Sequence, residues 1–143
     1  MEKLDKVIYR ASATSTGGRA GKVVSSDQAL DLQLTRPVEM GGRPDGGGTN
    51  PEQLFAAGYS ACFLSAMAFV ANRDKLTMPS DAQVTCEVGI GLIPQGFGLE
   101  VDMKVLLPGL AAEDARVLID RAHVLCPYSN ATRGNIDVRL TQI

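Results

Sequence analysis

The stretch that decides the fold is residues 49–72, TNPEQLFAAGYSACFLSAMAFVAN. It opens with a Thr-Asn pair that can cap a helix, Pro51 suits the first helical position, and Glu52 places an acid in the first turn. We therefore predict a helix that runs to about Asn72. Residues 54–71 carry no charge, and a helix that is apolar all round has to be covered on most sides by sheet, by other helices or by a second subunit.

The same uncharged run is long enough to raise the question of a membrane span. Six of its residues are alanine, and Gly58, Ser60 and Ser65 dilute it further, so it is weakly hydrophobic for its length. This composition favours the buried helix of a soluble core. The first eight residues, MEKLDKVI, mix both charges and lack the apolar segment of a secretory signal. We therefore expect a cytoplasmic protein without a membrane partner.

Alternating apolar and polar residues predict strands on both sides of this helix. Residues 84–92 and 99–107 alternate around a turn at 94–98, which is typical of a β-hairpin. The other predicted elements are strands at 7–14, 23–24, 30–34 and 136–141 and a helix from 111 to about 125. We therefore predict a single α+β domain over residues 1–143, with the order β-β-β-α-β-β-α-β and a buried central helix.

Charge and composition exclude several classes of function. The chain has 14 Lys and Arg residues against 16 Asp and Glu, so its net charge of −2 offers no general field for nucleic acid. Three cysteines without a CxxC spacing and a single histidine, His123, disfavour a disulfide scaffold and a zinc site. The glycine-rich loop at 41–48 lacks the Gly-Lys-Ser/Thr ending of a phosphate-binding loop. Nucleotide binding is therefore not expected.

The cysteines are the candidate reactive groups. Cys86 falls on the apolar face of a predicted strand, where a free thiol packs as a small hydrophobe. As a nucleophile, Cys62 would need a cation, because a free thiol has a pKa of about 8.5 and burial raises it. Its own helix supplies none between Leu54 and Ala71. Arg19, in a glycine-rich turn, is a candidate, and a solvated turn residue is the alternative.

Two further residues have both a chemical and a structural interpretation. Glu52 suits the helix dipole whatever its function. On one straight helix it lies about 15 Å from Cys62 along the axis, so the two can share a site only if the chain before Leu54 bends back or if the acid comes from a second subunit. His123 lies three residues before Cys126, which permits a Cys-His pair or a simple capping role.

Two longer motifs resemble a known family. They are residues 50–63, NPEQLFAAGYSACF, and residues 122–138, AHVLCPYSNATRGNIDV. A third, shorter motif is the GGRAG turn at residues 17–21. Together they resemble the organic hydroperoxide resistance (Ohr) branch of the Ohr/OsmC family over essentially the whole chain. The resemblance implies the OsmC/Ohr-like fold, with the element order predicted above, and an intertwined homodimer with two sites at the subunit interface.

The resemblance also implies a thiol-dependent peroxidase that reduces organic hydroperoxides to alcohols. By matching motif positions, Cys62 is the peroxidatic cysteine, Cys126 is the resolving cysteine, and Arg19 and Glu52 are the activating pair. The resemblance assigns His123 no role in the redox cycle. No metal, haem, flavin or other cofactor is implied. An external dithiol has to reopen the disulfide, and the family suggests a dihydrolipoyl group on a partner protein.

A preference for carbon-bearing peroxides has candidate residues on the Cys62 side of the helix. The apolar side chains on that side are those of Phe55, Tyr59 and Met67. They would form an apolar wall for the peroxide, and the alternative is plain core packing. Three other functions stay open at this stage. They are an OsmC-type peroxidase of broader substrate range, a non-catalytic domain that binds an apolar ligand, and a Cys-His hydrolase using His123.

Overall fold

The computed structural model describes residues 2–143 and has three α-helices and two three-stranded sheets in that range. The elements are β1 Ala13–Thr16, β2 Lys22–Ser25, β3 Asp31–Gln33, α1 Pro51–Asp74, β4 Gln83–Ile93, β5 Gly96–Leu106, α2 Ala112–Leu125, α3 Pro127–Thr132 and β6 Asp137–Gln142. The α+β class is confirmed. The chain divides into two compact units between Pro51 and Glu52, and the single domain stays a prediction.

The first unit is built on the antiparallel sheet β1-β2-β3. The turn between β1 and β2 requires glycine, because Gly17 has a φ of +72° and a Cβ on Gly21 would lie 1.8 Å from the carbonyl oxygen of Thr16. A single 3-10 turn, Gly18–Ala20, follows and carries Arg19. The sequence therefore fixes the place of this arginine at the tip of a tight turn.

The first strand lies later in the chain than the sequence pattern predicts. Residues 7–14 were the expected strand, but β1 covers Ala13–Thr16, and residues 7–12 have no regular secondary structure and are exposed. The reason is the length of the pairing partner. The turn sets Thr16 opposite Lys22, and β2 ends at Ser25, opposite Ala13. The carbonyl of Ser12 still accepts from the N–H of Ser26, but the ladder does not continue to residues 7–11. Alternation alone does not form a strand without a paired neighbour.

The second unit contains the long hairpin and the main core. Strands β4 and β5 pair antiparallel through the full hairpin, and β6 adds parallel to β5 after the crossover through α2 and α3. The hairpin and the last strand confirm the sequence pattern. The core is formed by the inward side chains of α1, α2 and β5 and by Leu107, which directly follows β5. The members from the three elements are Tyr59, Phe63, Met67, Val70, Val101, Met103, Val105, Ala115, Leu118, Ile119 and Ala122.

Helix α1 runs without interruption for 24 residues, two residues beyond the predicted end. One side packs into the core, which confirms it as a core helix. Its length and apolar composition would also suffice to cross a membrane, a test that buried core helices pass as well. The other side is exposed in the single chain and consists mainly of small or apolar residues: Ala57, Ala61, Ser65, Ala68 and Phe69. The cover expected on most sides is therefore incomplete within one chain.

Helix α3 was not expected from the sequence. Pro127 was interpreted only as the end of α2, and it does end that helix, because proline clashes with the preceding turn. Proline is also favoured at the first position of a new helix. The chain uses both properties, so that α2 ends at Leu125 and α3 begins at Pro127.

Candidate functional site

The centre of the candidate site is the pair Cys62 and Cys126, whose sulfurs are 3.7 Å apart although 64 positions separate them. The thiol of Cys126 donates to the sulfur of Cys62. Cys126 is fully buried, whereas Cys62 is half-buried, and both are free thiols. One sulfur is therefore open to a small molecule, and the other faces the first.

The position of Cys126 follows from the helix junction. Its backbone N–H donates to the carbonyl of Ala122 and ends α2, and its own carbonyl accepts from the N–H of Asn130 and begins α3. The extended backbone of Cys126, with ψ of 124°, is the conformation that a following proline imposes. Both helices therefore hold this cysteine in place.

The environment of Cys62 within this unit favours the thiol over the thiolate. Burial raises its pKa, a hydrogen bond from the backbone N–H of Tyr128 lowers it, and the neighbouring Cys126 raises it. Tyr128 occupies the second position of α3, where a backbone N–H has no partner within the helix. This N–H is thus the contact in the second unit that favours a charged sulfur.

Arg19 and Glu52 lie in different compact units. Arg19 is half-buried at the tip of its turn in the first unit. Glu52 is half-buried in the first turn of α1 in the second unit. Because α1 already begins at Pro51, the chain does not bend back before Leu54. Glu52 and Cys62 of one chain are therefore about 15 Å apart along the helix axis.

The three apolar candidates differ in exposure. Tyr59 and Met67 are fully buried in the core, whereas Phe55 is half-buried and packs against it. The ring of Phe55 makes edge contacts with Tyr59 and Tyr128, with centroids 6.1 Å apart in each case. A cavity of about 260 Å³ opens beside it, and its lining comprises Phe55, Leu99, Tyr128, Ala131, Thr132, Asn135 and Ile136.

A hydrogen-bonded cluster behind the sulfurs was not identified from the sequence. The buried hydroxyls of Ser129 and Thr132 both contact the hydroxyl of Tyr59, at 2.9 Å and 3.2 Å. His123 Nδ1 lies 2.9 Å from the hydroxyl of Ser129. Burial and the nearby Arg133 lower the pKa of His123, so the ring is neutral at neutral pH. The available signal was the pair of hydroxyl residues three positions apart just after Cys126.

Cys86 and His123, the two other candidate groups, have partners other than the two sulfurs. Cys86 lies on β4 opposite Met103, and burial raises its pKa to about 11. The side chain of His123 bonds to Ser129, and its backbone carbonyl accepts from Arg133. Within residues 2–143, no three His, Cys, Asp or Glu side chains cluster in a way that could hold a metal ion.

Comparisons with known proteins agree on one family. A family model described as OsmC-like protein matches residues 44–141. An uncharacterized protein of Acinetobacter baylyi is 64% identical over 94% of this chain and 93% of its own. The organic hydroperoxide resistance protein of Xanthomonas axonopodis pv. citri is 56% identical over 99% of each chain. The crystal structure of an organic hydroperoxide resistance protein from Elizabethkingia anophelis superposes with a TM-score of 0.90 at 49% identity, and covers 96% of this chain and 97% of its own.

Proposed function

Because the chain belongs to the OsmC-like protein family, we propose that it is a thiol peroxidase that reduces organic hydroperoxides in peroxide defence. The observation that carries this proposal is the pair of free thiols 3.7 Å apart, one half-buried and one fully buried. A peroxide can meet Cys62 first, and the sulfur of Cys126 lies 3.7 Å from it, ready to react with the oxidised product. The relatives named for organic hydroperoxide resistance support a role in defence against organic hydroperoxides.

The reaction consists of two steps on this chain. The thiolate of Cys62 attacks the terminal peroxide oxygen, the O–O bond breaks, and the alkoxide takes a proton and leaves as the alcohol. The sulfur is then a sulfenic acid. The thiol of Cys126 attacks it, the S–O bond breaks, and water leaves as the disulfide forms. The two sulfurs have to close from 3.7 Å to about 2.05 Å. An external dithiol, which we assign to a dihydrolipoyl group on a partner protein, reduces the disulfide.

Activation of Cys62 needs a cation, because burial raises its pKa. We assign this role to Arg19, whose guanidinium favours the thiolate and the charge on the departing oxygen. Glu52 would hold the guanidinium by a bidentate pair. The separation of about 15 Å along α1 prevents Glu52 from serving Cys62 of its own chain. The acid is therefore Glu52 of the partner subunit in a homodimer, and the exposed apolar side of α1 is the surface that such a partner would cover.

The apolar surroundings suit carbon-bearing peroxides. Phe55 borders the cavity of about 260 Å³, and its ring packs on Tyr59, which lies behind it in the core with Met67. An alkyl or aryl group gains free energy by leaving water in such a place, whereas hydrogen peroxide gains none. We expect turnover of cumene hydroperoxide to exceed that of hydrogen peroxide. Equal rates would favour an OsmC-type peroxidase of broader substrate range.

The mass of the intact chain tests the peroxidase reaction. One equivalent of cumene hydroperoxide should lower the mass by about 2 Da as two thiols join. The Cys86→Ser variant should show the same loss, and the Cys62→Ser variant should show none. The Cys126→Ser variant should consume one peroxide and stop with an oxidised Cys62. An unchanged wild-type mass would contradict the proposal and leave a ligand-binding domain or a Cys-His hydrolase as the alternative.

Mixed dimers test the source of Glu52. A Glu52→Gln chain keeps Cys62, and a Cys62→Ser chain keeps Glu52, so neither homodimer should be active. Co-expression at equal levels should restore about a quarter of wild-type activity, since half the dimers would carry one complete site of two. The control is co-expression of Cys62→Ser with a Cys62→Ser, Glu52→Gln chain, which should stay inactive. Absence of recovery in the first mixture would show that Glu52 acts within its own chain.

A further inference from the structure

We propose that Tyr59, Ser129, Thr132 and His123 form a positioning cluster that holds α3 against α1 so that the disulfide between Cys62 and Cys126 can close. The cluster deepens the proposed peroxidase function and rests on it. Thr132 also lines the cavity beside Phe55, but the role that we assign to the members of the cluster concerns disulfide closure and not peroxide binding. They act through the backbone of α3, which carries the second sulfur.

The cluster is buried and connects the two helices beside the sulfurs. Tyr59 lies one helical turn before Cys62 on α1, and Ser129 lies one turn after Cys126 on α3. Tyr59 and Ser129 are fully buried, and Thr132 is 5% exposed. Buried hydroxyls of this kind are stable only when they are paired, so each one fixes the position of its neighbour.

Counting hydrogens gives the cluster a single direction. Thr132 donates to the carbonyl of Tyr128 at 2.9 Å, because a carbonyl oxygen has no hydrogen to give. Its oxygen then accepts from Tyr59, the hydroxyl of Tyr59 accepts from Ser129, and Ser129 accepts from Nδ1–H of His123. The Thr132 hydroxyl also lies 3.2 Å from the carbonyl of Ser129, which shares the same hydrogen. These contacts use four hydrogens, and the neutral ring of His123 with its hydrogen on Nδ1 satisfies all of them.

This direction ends at the residue that touches the reactive sulfur. The carbonyl of Tyr128 accepts from Thr132, and the N–H of the same residue donates to Cys62. The ring of Tyr128 packs against the backbone of α1 at Gly58, where an added Cβ would lie 2.9 Å from the Tyr128 hydroxyl. The first turn of α3 is thus fixed at its carbonyl, its N–H and its side chain.

The step that depends on this arrangement is disulfide closure. Peroxide reaches Cys62 from outside, whereas closure requires Cys126 to approach by about 1.6 Å along a set direction. A misplacement of about 1 Å in a reacting group can cost 10²-fold in rate. Removing one hydroxyl of the cluster should therefore slow closure, measured from the sulfenic acid onward, about tenfold or more.

The test measures the two steps separately by rapid quenching and intact mass after one equivalent of cumene hydroperoxide. The Tyr59→Phe and Thr132→Val variants keep most of the packing and lose one hydroxyl each. In both, the sulfenic acid should form and then persist, and closure is timed from that state as a first-order step that does not depend on how fast the peroxide bound. A second equivalent should then convert the sulfenic acid to the sulfinic acid, with a total gain of about 32 Da, because Cys126 attacks too slowly to prevent further oxidation.

Two control variants and the wild-type chain decide the outcome. Thr132→Ser restores the hydroxyl and should restore closure, and Tyr9→Phe removes an exposed phenol and should close at the wild-type rate. If Thr132→Ser is as slow as Thr132→Val, or if Tyr59→Phe closes as fast as wild type, the positioning role is wrong. If the wild-type chain itself shows no loss of about 2 Da, the proposed function fails instead, independently of the cluster.

Discussion

Oxidation should stabilise this protein strongly, and the size of the effect follows from where the two cysteines lie. A bond between Cys62 and Cys126 closes a loop of about 65 residues in the unfolded chain. The loss of chain entropy for such a loop is about 14 cal/mol/K, which corresponds to about 4 kcal/mol at 25 °C. Both cysteines belong to the second unit and their sulfurs already lie 3.7 Å apart, so little of this gain is lost to distortion of the native fold.

The expected shift in melting temperature follows from the unfolding entropy. For a chain of 143 residues that entropy is about 300 cal/mol/K near 60 °C, so a gain of 4 kcal/mol raises Tm by roughly 13 °C. Native strain can only reduce this value. We therefore expect the oxidised protein to melt between roughly 8 and 13 °C above the reduced protein.

The assay is differential scanning calorimetry of reduced and peroxide-treated protein at one fixed concentration, because the proposed homodimer would make Tm depend on concentration. Intact mass confirms the loss of about 2 Da before each scan. The Cys126→Ser variant given the same peroxide is the control, and its Tm should not rise. A Tm that stays equal or falls while the mass confirms the bond would refute the reasoning, because the bond would then strain the native fold by as much as it restricts the unfolded chain.

Three further predictions concern single residues near the site. The Gly58→Ala variant should lose about 1 kcal/mol in urea unfolding, because overpacking against Tyr128 at 2.9 Å outweighs the gain in helix propensity; equal or higher stability would show that the ring yields freely. Burial lowers the pKa of His123, so the native state resists protonation, and the stability advantage of wild type over His123→Asn should be full above about pH 6.5 and shrink as the pH falls further. NMR titration of this single histidine should give a pKa below that of a free imidazole. Cys86, with a pKa raised to about 11, should escape iodoacetamide at pH 8 in the native protein and react in urea, as peptide mass mapping would show.

Much of the second unit could be predicted because its elements are long. The two hairpin strands are eleven residues long each, and most of each alternates. The apolar run at 54–71 is too long for a strand, so pattern and length agree. The first strand was misplaced because its alternation is as good at 7–12 as at 13–14, and only the length of β2 decides between them. Helix α3 was missed because it has six residues and no hydrophobic period of its own.

The candidate site was predictable only in part, for a different reason. Neither spacing nor composition pairs Cys62 with Cys126, because the chain between them runs through the rest of α1, the whole hairpin and α2. Both cysteines are identified only through the resemblance of the motifs to the family. The cluster around Tyr59 had no such guide, since a buried tyrosine on an apolar helix is normally core packing. The role of the Tyr59 hydroxyl becomes evident only from its hydrogen bonds with the hydroxyls of Ser129 and Thr132 in the structure.

The proposed homodimer would explain two separate features of α1. The helix is straight from its first residue, and this leaves Glu52 about 15 Å from the Cys62 of its own chain. The same helix leaves an apolar side exposed, which a single chain in water would not keep without another role. A second copy that packs on that side would cover the surface and bring its own Glu52 to the sulfur. One association would therefore complete both the core and the site, so the reactivity of Cys62 and the stability of the fold should depend on protein concentration together.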